Sequence, residues 1–377
     1  MDSYVRSPGT LSQVVSAFRR EPLVAVDTEA ASFHKYRDRI YLVQLSTRTA
    51  TAILDPLALP DLAPLGGLLA DRAVEKVFHD ADYDLRILDR DYGFRPANVS
   101  DTRIAAQLAG EPAIGLAALL EKYVGVKLSK EHQKADWSRR PLPEEMLAYA
   151  AADTRHLPAL RDALFARLRA LGRDAWAQEE FERLEALRWT GGAAGASDGA
   201  DAYLRIKGAK TLIGRQLAAL RELHRWRADL AERQDKAPFR IIGNDALLAL
   251  SRALPRTRAA LAQTPGVPQT LAARHEAALL EAVRRALALD EADLPRIERP
   301  ARAPRDPDFD SRVERLKAAR NRVATQLALD PGVLCGRPLL EAVARARPQD
   351  RAGLAQVDEL RRWQIEALGD ALLAALS

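Results

Sequence analysis

Segments typical of β-strands alternate with helical segments in the first third of this chain and almost disappear after about residue 170. Short runs of apolar and β-branched residues predict five strands, at 23–27, 40–46, 51–54, 74–78 and around 99. Helices are predicted at 62–69, 82–91 and 102–108, and a longer one opens at Pro143 and continues to about residue 168. Strands interleaved with helices favour a sheet covered by helices, so we expect an α/β domain followed by all-α domains.

Two segments without packing periodicity divide the rest of the chain. Residues 190–199 are mostly Gly, Ala and Ser, and residues 295–307 are rich in Pro and Arg. We expect flexible linkers at 190–200 and 295–307. Because a chain of 377 residues is too long for one ordinary core, the expected organisation is an α/β domain at 1–189 and two small helical domains at 201–294 and 308–377.

The two helical segments resemble each other. Each carries a Leu-Leu pair, a proline and a further leucine in the same order, namely Leu247, Leu248, Pro255 and Leu261 in one and Leu339, Leu340, Pro348 and Leu354 in the other. This pattern predicts a duplicated helical module of roughly 70 to 80 residues. A chance likeness between Ala/Leu/Arg-rich helices would give the same pattern, and the sequence leaves that alternative open.

The composition excludes several classes of protein. Hydrophobic residues make up 47% and charged residues 29%, as in ordinary globular domains, and no apolar run reaches the roughly 18 residues of a membrane span. The N-terminus lacks the features of a signal peptide. The single cysteine, Cys335, allows no intramolecular disulfide, which fits a cytoplasmic location. Walker A, Gly-x-Gly-x-x-Gly and His-Glu-x-x-His patterns are missing, so neither a nucleotide cofactor nor a zinc site is expected.

Positive charge is concentrated in the second half of the chain. Residues 1–190 hold 26 Lys and Arg against 28 Asp and Glu, whereas the remaining 187 residues hold 31 against 24. A near-neutral front and a basic rear are typical of a catalytic domain joined to a part that holds nucleic acid. Arg-rich helix faces exposed to water would give the same balance, so charge alone leaves both interpretations open.

Three acidic segments, far apart in the chain, predict one metal site. Asp27 and Glu29 end a predicted strand, where an i, i+2 pair projects both carboxylates to one face. Asp84 lies near the start of a predicted helix that follows another strand. Tyr149 and Asp153 are four residues apart, on one face of a helix. Four carboxylates and a phenol in one place suit two divalent cations, Mg²⁺ or Mn²⁺, because these ions prefer oxygen ligands.

This set of side chains predicts phosphodiester hydrolysis. A phosphodiester is anionic, and two cations roughly 3.5–4 Å apart counter the charge that a nucleophile meets. Asp27 is expected to bridge both cations, while Glu29 and Asp153 complete the site that holds the attacking water. Asp84 would serve the second cation, and Tyr149 would orient the water. Each segment alone is common, so the prediction rests on their order, spacing and element types together.

The three segments resemble the Exo I, Exo II and Exo III motifs of the DEDD 3′→5′ exonucleases. The third reads Tyr-x-x-x-Asp, as in the DEDDy branch, and Ala148 stands where the DEDDh branch has a histidine. Residues 39–46 (RIYLVQLS), 136–142 (DWSRRPL) and 206–208 (IKG) resemble ribonuclease D. The helical segments resemble HRDC domains, closely at 221–239 and more loosely from about 308 onward. The resemblance therefore covers nearly the whole chain.

The resemblance implies a ribonuclease-H-like (DnaQ-like) exonuclease domain with a mixed five-stranded sheet. It implies metal-binding or catalytic roles for Asp27, Glu29, Asp84, Tyr149 and Asp153. It also implies removal of nucleotides from RNA 3′ ends as 5′-monophosphates, with tRNA precursors and other structured RNAs as substrates. We expect the enzyme to be a monomer and to have no membrane partner.

Four further residues are candidates for substrate contact, and each has a structural alternative. His79 follows a predicted strand and either touches the substrate or forms hydrogen bonds within the fold. Gln44 either reaches the scissile bond or is an ordinary strand residue. Trp137 and Arg140 either flank the RNA 3′ end, by stacking and phosphate contact, or anchor their loop in the core.

Two other functions remain open at this level. A 3′→5′ DNA exonuclease would carry the same metal motifs, because the motifs do not report the sugar and contacts to the 2′-hydroxyl decide that preference. A non-catalytic RNA-binding adaptor would show a broken motif, and none of the five residues is missing. Lys130 and Lys134 are either phosphate contacts or solvated charges.

Overall fold

The computed structural model describes residues 2–129, 131–133, 135–191, 201–297 and 306–377. The expected linker at 190–200 lies outside the described residues apart from residues 190 and 191. Most of the expected linker at 295–307 lies outside them as well. The same holds for Lys130 and Lys134, the two candidate phosphate contacts.

A mixed β-sheet of six strands forms the centre of the N-terminal region. The strands are β1 Asp2–Val5, β2 Leu23–Ala30, β3 Ile40–Ser46, β4 Thr51–Leu54, β5 Glu75–Phe78 and β6 Val99–Asp101. Their spatial order is β1-β4-β3-β2-β5-β6. Strand β3 is antiparallel to both of its neighbours, and the other pairs are parallel. All seven residues of β3 are buried, which explains why this strand carries apolar residues at consecutive positions rather than at alternating ones.

The prediction of five strands was wrong, because β1 adds a sixth at the sheet edge. Strand β1 has four residues with the sequence DSYV, too few to show an alternating pattern. It forms through parallel pairing with β4, where Val5 lies opposite Leu54. Val5 is fully buried. A pairing between segments about 50 residues apart cannot be read from four letters of sequence.

Eight α-helices are found in the described part of this region. They are α1 Pro8–Phe18, α2 Ala63–Leu69, α3 Asp82–Tyr92, α4 Thr102–Leu108, α5 Leu116–Val124, α6 Glu144–Arg155, α7 Leu157–Ala170 and α8 Asp174–Glu185. The prediction of one helix from Pro143 to about residue 168 was wrong, because the helix is interrupted at His156, which separates α6 from α7. Pro158 lies in the first turn of α7, where no intrahelical partner is needed for a backbone N–H, so the N–H that proline lacks is not missed. In the interior of one continuous helix, the same proline would remove a backbone hydrogen bond.

Helix α6 lies over the sheet face that carries the acidic pair. Asp27 and Gln44 are direct partners in the β2–β3 register, so their side chains project from the same face. The hydroxyl groups of Ser46 and Thr154 are 2.7 Å apart and join β3 to α6. This contact fixes the last turn of α6, which carries Asp153, above the end of β2.

Two helical modules follow. The first helical module (214–287) contains α9 Gly214–Gln234, α10 Pro238–Ile241, α11 Asn244–Ala253, α12 Arg258–Ala262, α13 Gln269–Arg274 and α14 Glu276–Leu287. The second helical module (309–376) contains α15 Phe309–Leu327, α16 Pro331–Leu334, α17 Arg337–Ala346, α18 Arg351–Leu354 and α19 Arg362–Leu376. Short 3₁₀ turns lie at Ala202–Arg205, Ala209–Thr211 and Glu291–Asp293. None of the described helices is both long and apolar enough to cross a membrane.

The two modules share their internal hydrogen bonds. In the first, the buried Arg227 donates to the backbone oxygen of Ile242 at 3.3 Å. In the second, Arg320 donates to the backbone oxygen of Cys335 at 2.8 Å, again 15 positions further along. Arg320 and Cys335 thus each lie 93 positions after their counterparts in the first module, Arg227 and Ile242. The free Cys335 is buried at this repeated contact.

The second helical module shares one hydrophobic core with the sheet region. Trp363 of α19 stacks on Trp176 of α8 with ring centroids 4.9 Å apart. The backbone N–H of Trp363 donates to Glu179 at 3.0 Å, and its indole N–H donates to Glu180 at 2.7 Å. Arg173 is 6% exposed and donates to backbone oxygens on both sides of this contact, at Leu108 and at residue 327. The second module is therefore packed against the sheet region as part of one folded unit.

The first helical module has a separate core and touches the loop at 31–39, directly after β2. Lys35 forms an ion pair with Asp235 at 2.7 Å, and Arg37 lies 3.7 Å from Glu232. One backbone hydrogen bond, 3.2 Å long, joins residue 237 to residue 34. The rings of Phe33 and Phe239 add an edge-to-face contact with centroids 6.3 Å apart. This contact is largely exposed, unlike that of the second module.

Candidate active site

Three carboxylates predicted to bind metal converge at the end of β2. Asp27, Glu29 and Asp153 each place one carboxylate oxygen within 4.8 Å of the oxygens from the other two. The first two come from alternate positions of β2, and the third comes from the last turn of α6. All three line a cleft with a volume of about 450 Å³. The fold thus brings together, as the motifs predicted, carboxylates of β2 and α6 that are more than 120 positions apart in the sequence.

Burial raises the pKa values of the three carboxylates, and the charges of neighbouring carboxylates raise two of them further. Burial raises the pKa of Asp27 to about 6. Burial and then the charge of Asp27 raise that of Asp153 to about 8. The pKa of Glu29 is raised by burial and then by Asp27, Asp153 and Asp84, so every charge acting on it is another carboxylate. Crowded oxygen ligands without a neighbouring cationic side chain fit a divalent cation.

Asp84 lies beside this group. It is 7% exposed and belongs to the first turn of α3. Its carboxylate accepts a hydrogen bond from the hydroxyl of Thr28, the residue between the two acids of β2. Burial and then the charge of Asp27 raise the pKa of Asp84. Asp84 is therefore electrostatically coupled to the three converging carboxylates, although it is outside the group within 4.8 Å.

Tyr149 lines the same cleft one helical turn before Asp153. Its ring packs against His132, with centroids 5.7 Å apart, and against Trp137, with centroids 6.2 Å apart. Burial and then the charge of Asp153 raise the pKa of the phenol. The hydroxyl therefore keeps its proton at neutral pH and can act as a hydrogen-bond donor in the cleft.

His79 also lines the cleft, and its hydrogen bonds define its protonation. Its Nδ1 lies 2.9 Å from the hydroxyl oxygen of Thr102, which itself donates to the backbone oxygen of Phe78 at 3.0 Å. Because that hydroxyl has only one proton, Nδ1 is assigned as the donor and Nε2 as an acceptor. Burial lowers the pKa of His79 to about 4, so the ring is neutral at physiological pH.

Asp101, which sequence reasoning missed, holds the turn that carries these residues. Its carboxylate is 1% exposed and accepts hydrogen bonds from the backbone N–H groups of Ala81, Arg103 and Ile104 at 2.7, 2.7 and 3.1 Å. The turn includes Asp80 in a left-handed conformation, with φ of 70°. Asp101 thereby caps α4 and positions the candidate residues on either side of the turn. Its location between a strand and a helix is the one sequence signal for this role.

Three of the candidate substrate contacts are not among the described residues that line the cleft. Gln44 is fully buried, and its amide N and O have no hydrogen-bond partner within the described structure. Trp137 is 1% exposed and packs in the core beneath α6. Arg140 donates twice to Asp55, both times at 2.7 Å, and once to the backbone oxygen of Tyr41 at 3.0 Å. The structure thus places these side chains in the scaffold around the cleft.

The first turn of α5 also faces the acidic group, and the sequence did not predict this helix. The cleft that the carboxylates line is also lined by Gly115, Leu116, Ala117 and Ala118. Gly115 is the N-cap and supplies no side chain to bond the free N–H groups of the first turn. The only sequence signal is a glycine before an apolar run.

Comparison with known proteins identifies the family. A family model described as a 3′-5′ exonuclease matches residues 3–169, and the HRDC domain model matches twice, at 216–283 and 309–376. The chain is 34% identical to the ribonuclease D of Granulibacter bethesdensis over 97% of its own length and 90% of that relative. The chain belongs to the ribonuclease D family. It is a nuclease hydrolase, and the predicted duplication of a helical module is confirmed as two HRDC domains.

Other members of the ribonuclease D family match over the full length. Identity to the ribonuclease D of Pseudomonas paraeruginosa is 30%, covering 99% of this chain and 97% of that one. The crystal structure of Escherichia coli RNase D, described as an exoribonuclease involved in structured RNA processing, has a TM-score of 0.73 and 26% identity. It covers 100% of this chain and 98% of the other. These matches confirm the expected α/β exonuclease domain followed by helical domains.

Proposed function

We propose that this protein is a two-metal-ion 3′→5′ exoribonuclease that trims 3′ extensions of structured RNAs, including tRNA precursors, and releases nucleoside 5′-monophosphates. The observation that carries the proposal is the convergence of Asp27, Glu29 and Asp153 within 4.8 Å in an open cleft. The role in structured RNA processing stated for the E. coli relative supports the choice of substrate. We further propose that the protein acts as a monomer in the cytoplasm.

The carboxylates are proposed to hold two Mg²⁺ or Mn²⁺ ions. Asp27, Glu29 and Asp153 would hold one ion, and Asp27 together with Asp84 would hold the other. When bound, such a pair of cations lowers the pKa of a water and counters the charge of the phosphodiester. Burial raises the pKa values of all three carboxylates, and the charges of neighbouring carboxylates raise those of Glu29 and Asp153 further; a divalent cation would offset both effects.

Tyr149 and His79 would position the reactants, the first as a hydrogen-bond donor and the second as an acceptor. The protonated phenol of Tyr149 donates a hydrogen bond and would orient the attacking water, since it lies one turn from Asp153. The neutral ring of His79 offers Nε2 as an acceptor, which suits a ribose hydroxyl of the terminal nucleotide. Neither residue needs to change its charge for these roles.

The first turn of α5 would assist the binding of a phosphate oxygen. The residues of this turn line the cleft and no side chain caps their N–H groups, while the helix dipole makes this end of the helix electropositive. A phosphodiester between this turn and the acidic group would have donors on one side and the metal ligands on the other. The proposed site therefore combines metal binding with a neutral backbone contact to the substrate.

The experiment is a time course with a 3′-extended tRNA and a matched single-stranded DNA, each labelled at the 5′ end, in Mg²⁺ or EDTA. The proposal predicts a metal-dependent ladder that shortens the RNA extension and stops near the folded tRNA. Shortening of the DNA alone would assign the protein to DNA, and no shortening of either substrate would support a non-catalytic adaptor.

A further inference from the structure

A buried hydroxyl group fixes both the orientation and the proton of the His79 ring. Nδ1 of the ring lies 2.9 Å from the hydroxyl oxygen of Thr102, and this hydroxyl donates to the backbone oxygen of Phe78 at 3.0 Å. Thr102 is fully buried at the start of α4. Its one proton goes to the Phe78 oxygen, so Nδ1 carries the proton of the neutral ring and Nε2 remains an acceptor.

The backbone that carries His79 is held in place as well. Strand β5 ends at Phe78, and Asp101 ties down the turn that follows by accepting the backbone N–H of Ala81 at 2.7 Å. Asp101 directly precedes Thr102, so two consecutive residues fix the turn and the ring. Since both its backbone and its inner nitrogen are held, His79 loses little conformational freedom when it binds a ligand.

His79 also lies beside the expected bridging ligand for metal. Strands β2 and β5 are parallel neighbours, and their register pairs Ala25 with Val77. Two positions further along, the chain reaches Asp27 on β2 and His79 just past the end of β5. Neighbouring strands lie roughly 4.8 Å apart, so the two residues are adjacent across the strand ends. Both line the cleft, and because Nδ1 is bonded to the scaffold, Nε2 is the ring nitrogen that a ligand in the cleft can reach.

A neutral acceptor favours hydroxyl groups over phosphate groups. Burial lowers the pKa of His79 to about 4, so the ring carries no positive charge at neutral pH. A phosphate oxygen can only accept a hydrogen bond and finds no donor at Nε2, whereas a sugar hydroxyl can donate to it. RNA and DNA ends differ by one such donor, the 2′-hydroxyl. The chemistry of this position therefore suits the part of the substrate that distinguishes the two nucleic acids.

We infer that the pair of Thr102 and His79 makes the cleft prefer RNA ends, with Nε2 of His79 accepting a hydrogen bond from the 2′-hydroxyl of the terminal nucleotide. The inference rests on the proposed function and deepens it, because it names the group that distinguishes RNA from DNA. His79 touches the substrate, and Thr102 is a positioning residue that acts through the ring. A 2′-deoxy end leaves Nε2 without a donor, and a site built to bond a hydroxyl disfavours an analogue that lacks it.

The test uses three 5′-labelled RNA oligonucleotides that differ only in the sugar of the last nucleotide, which is ribose, 2′-deoxyribose or 3′-deoxyribose. The full-length protein is given each one in Mg²⁺, and kcat/KM is measured for removal of the last nucleotide. The unmodified protein is expected to prefer the ribose end over the 2′-deoxy end by about tenfold. Thr102→Val keeps the shape of the side chain, removes the hydroxyl and should lower this preference several-fold. His79→Ala removes the acceptor itself and should abolish the preference.

Two further variants separate this role from a general loss of stability. Thr102→Ser restores the hydroxyl and should restore the preference. Thr51→Val is the matched control, because Thr51 is also a buried threonine, with its hydroxyl oxygen 3.0 Å from that of Ser46. Thr51 is not among the described residues that line the cleft, so its replacement should leave the preference unchanged.

The tautomer of His79 is read separately by nitrogen-15 NMR, with its signals assigned by their loss in His79→Ala. The proton is expected on Nδ1 in the unmodified protein, and Thr102→Val should shift part of the population to the tautomer with the proton on Nε2. An unchanged preference in Thr102→Val would overturn the inference, and so would an unchanged tautomer or an effect confined to the 3′-deoxy end. Equal rates of the unmodified protein on ribose and 2′-deoxy ends would overturn it while leaving the proposed function intact. No cleavage of any oligonucleotide would contradict the proposed function and the inference with it.

Discussion

Asp27 and Gln44 are direct partners across strands β2 and β3, on the sheet face covered by α6. One is the expected bridging ligand for metal, and the other is a fully buried amide without a hydrogen-bond partner in the described structure. A buried amide without partners destabilises a fold by roughly 1–3 kcal/mol. The ligand-bearing end of the sheet therefore contains a polar group that the scaffold alone does not explain.

Replacing Gln44 by leucine should stabilise the protein. Gln44→Leu removes the unpaired amide and keeps the volume similar, so the free energy of unfolding should rise by about 1 kcal/mol or more. The control is Ser46→Ala on the same face of β3, which loses contacts to the hydroxyls of Thr51 and Thr154 and should be less stable. Urea unfolding followed by circular dichroism gives both values. A less stable Gln44→Leu would contradict the account, and slower cleavage by a more stable variant would support its predicted role at the substrate.

The metal-free protein should lose stability as the pH rises. Asp27 and Asp153 have pKa values of about 6 and about 8 in the folded state, both above the ordinary value of 3.8. A carboxyl group with a raised folded-state pKa favours folding while it is protonated, and this contribution is lost as the pH rises through that pKa. In EDTA the free energy of unfolding should therefore fall between about pH 4 and pH 8, by roughly 1.4 kcal/mol per unit of pKa shift.

A matched pair of variants tests the origin of this pH dependence. Asp27→Asn removes one of the repelling charges and should flatten the fall, whereas Asp82→Asn, at an exposed position of α3 paired with Arg86, should not. Addition of Mg²⁺ should restore stability at pH 8 in the unmodified protein. Parallel curves for the unmodified protein and Asp27→Asn would show that other groups cause the effect.

Truncation of Trp363 should destabilise the sheet region as well as the second helical module. The Trp363 ring stacks on Trp176, and the two regions share one core, so Trp363→Ala should cost about 3–5 kcal/mol within a single cooperative transition. The neighbouring Arg362 has a side chain that is 82% exposed, and Arg362→Ala should change stability little. Thermal unfolding is followed by circular dichroism. A separate early transition of the module, with the main transition unmoved, would contradict a shared core.

Removal of the Tyr149 hydroxyl should slow cleavage without weakening metal binding. Tyr149→Phe keeps the ring contacts with His132 and Trp137 and removes only the donor near Asp153, so the rate should fall by about tenfold or more while the Mg²⁺ concentration for half-maximal rate stays the same. Tyr92→Phe is the control, since that ring stacks on Phe94 within the scaffold. Equal rates for both variants would mean that another group orients the water.

Local patterns predicted most of the sheet and the acidic group. Strands β2 to β5 contain short apolar runs, and Val99 marks β6. The spacing of Asp27 with Glu29 and of Tyr149 with Asp153 places each pair on one face of its element. Strand β1 was not predicted, because it depends on pairing with a distant strand. The interruption at His156 was not predicted either, because the residues on both sides follow one continuous helical pattern despite Pro158.

The surroundings of the site depend on tertiary packing and were harder to predict. Trp137 and Arg140 have the chemistry of RNA contacts, yet the fold buries one and binds the other to Asp55. The first turn of α5 lines the cleft in a fold where α5 packs on α7. The stacking of Trp363 on Trp176 joins residues almost 190 positions apart. No spacing rule within one segment reports such contacts.

The most direct test of the central claim is a cleavage time course with Asp27→Asn and its control Asp82→Asn on a 5′-labelled, 3′-extended RNA in Mg²⁺. We expect Asp27→Asn to produce no ladder while its RNA affinity in EDTA remains close to that of the unmodified protein, and we expect Asp82→Asn to cleave normally. Equal ladders from Asp27→Asn and the unmodified protein would contradict the proposal that the carboxylates at the end of β2 carry the reaction.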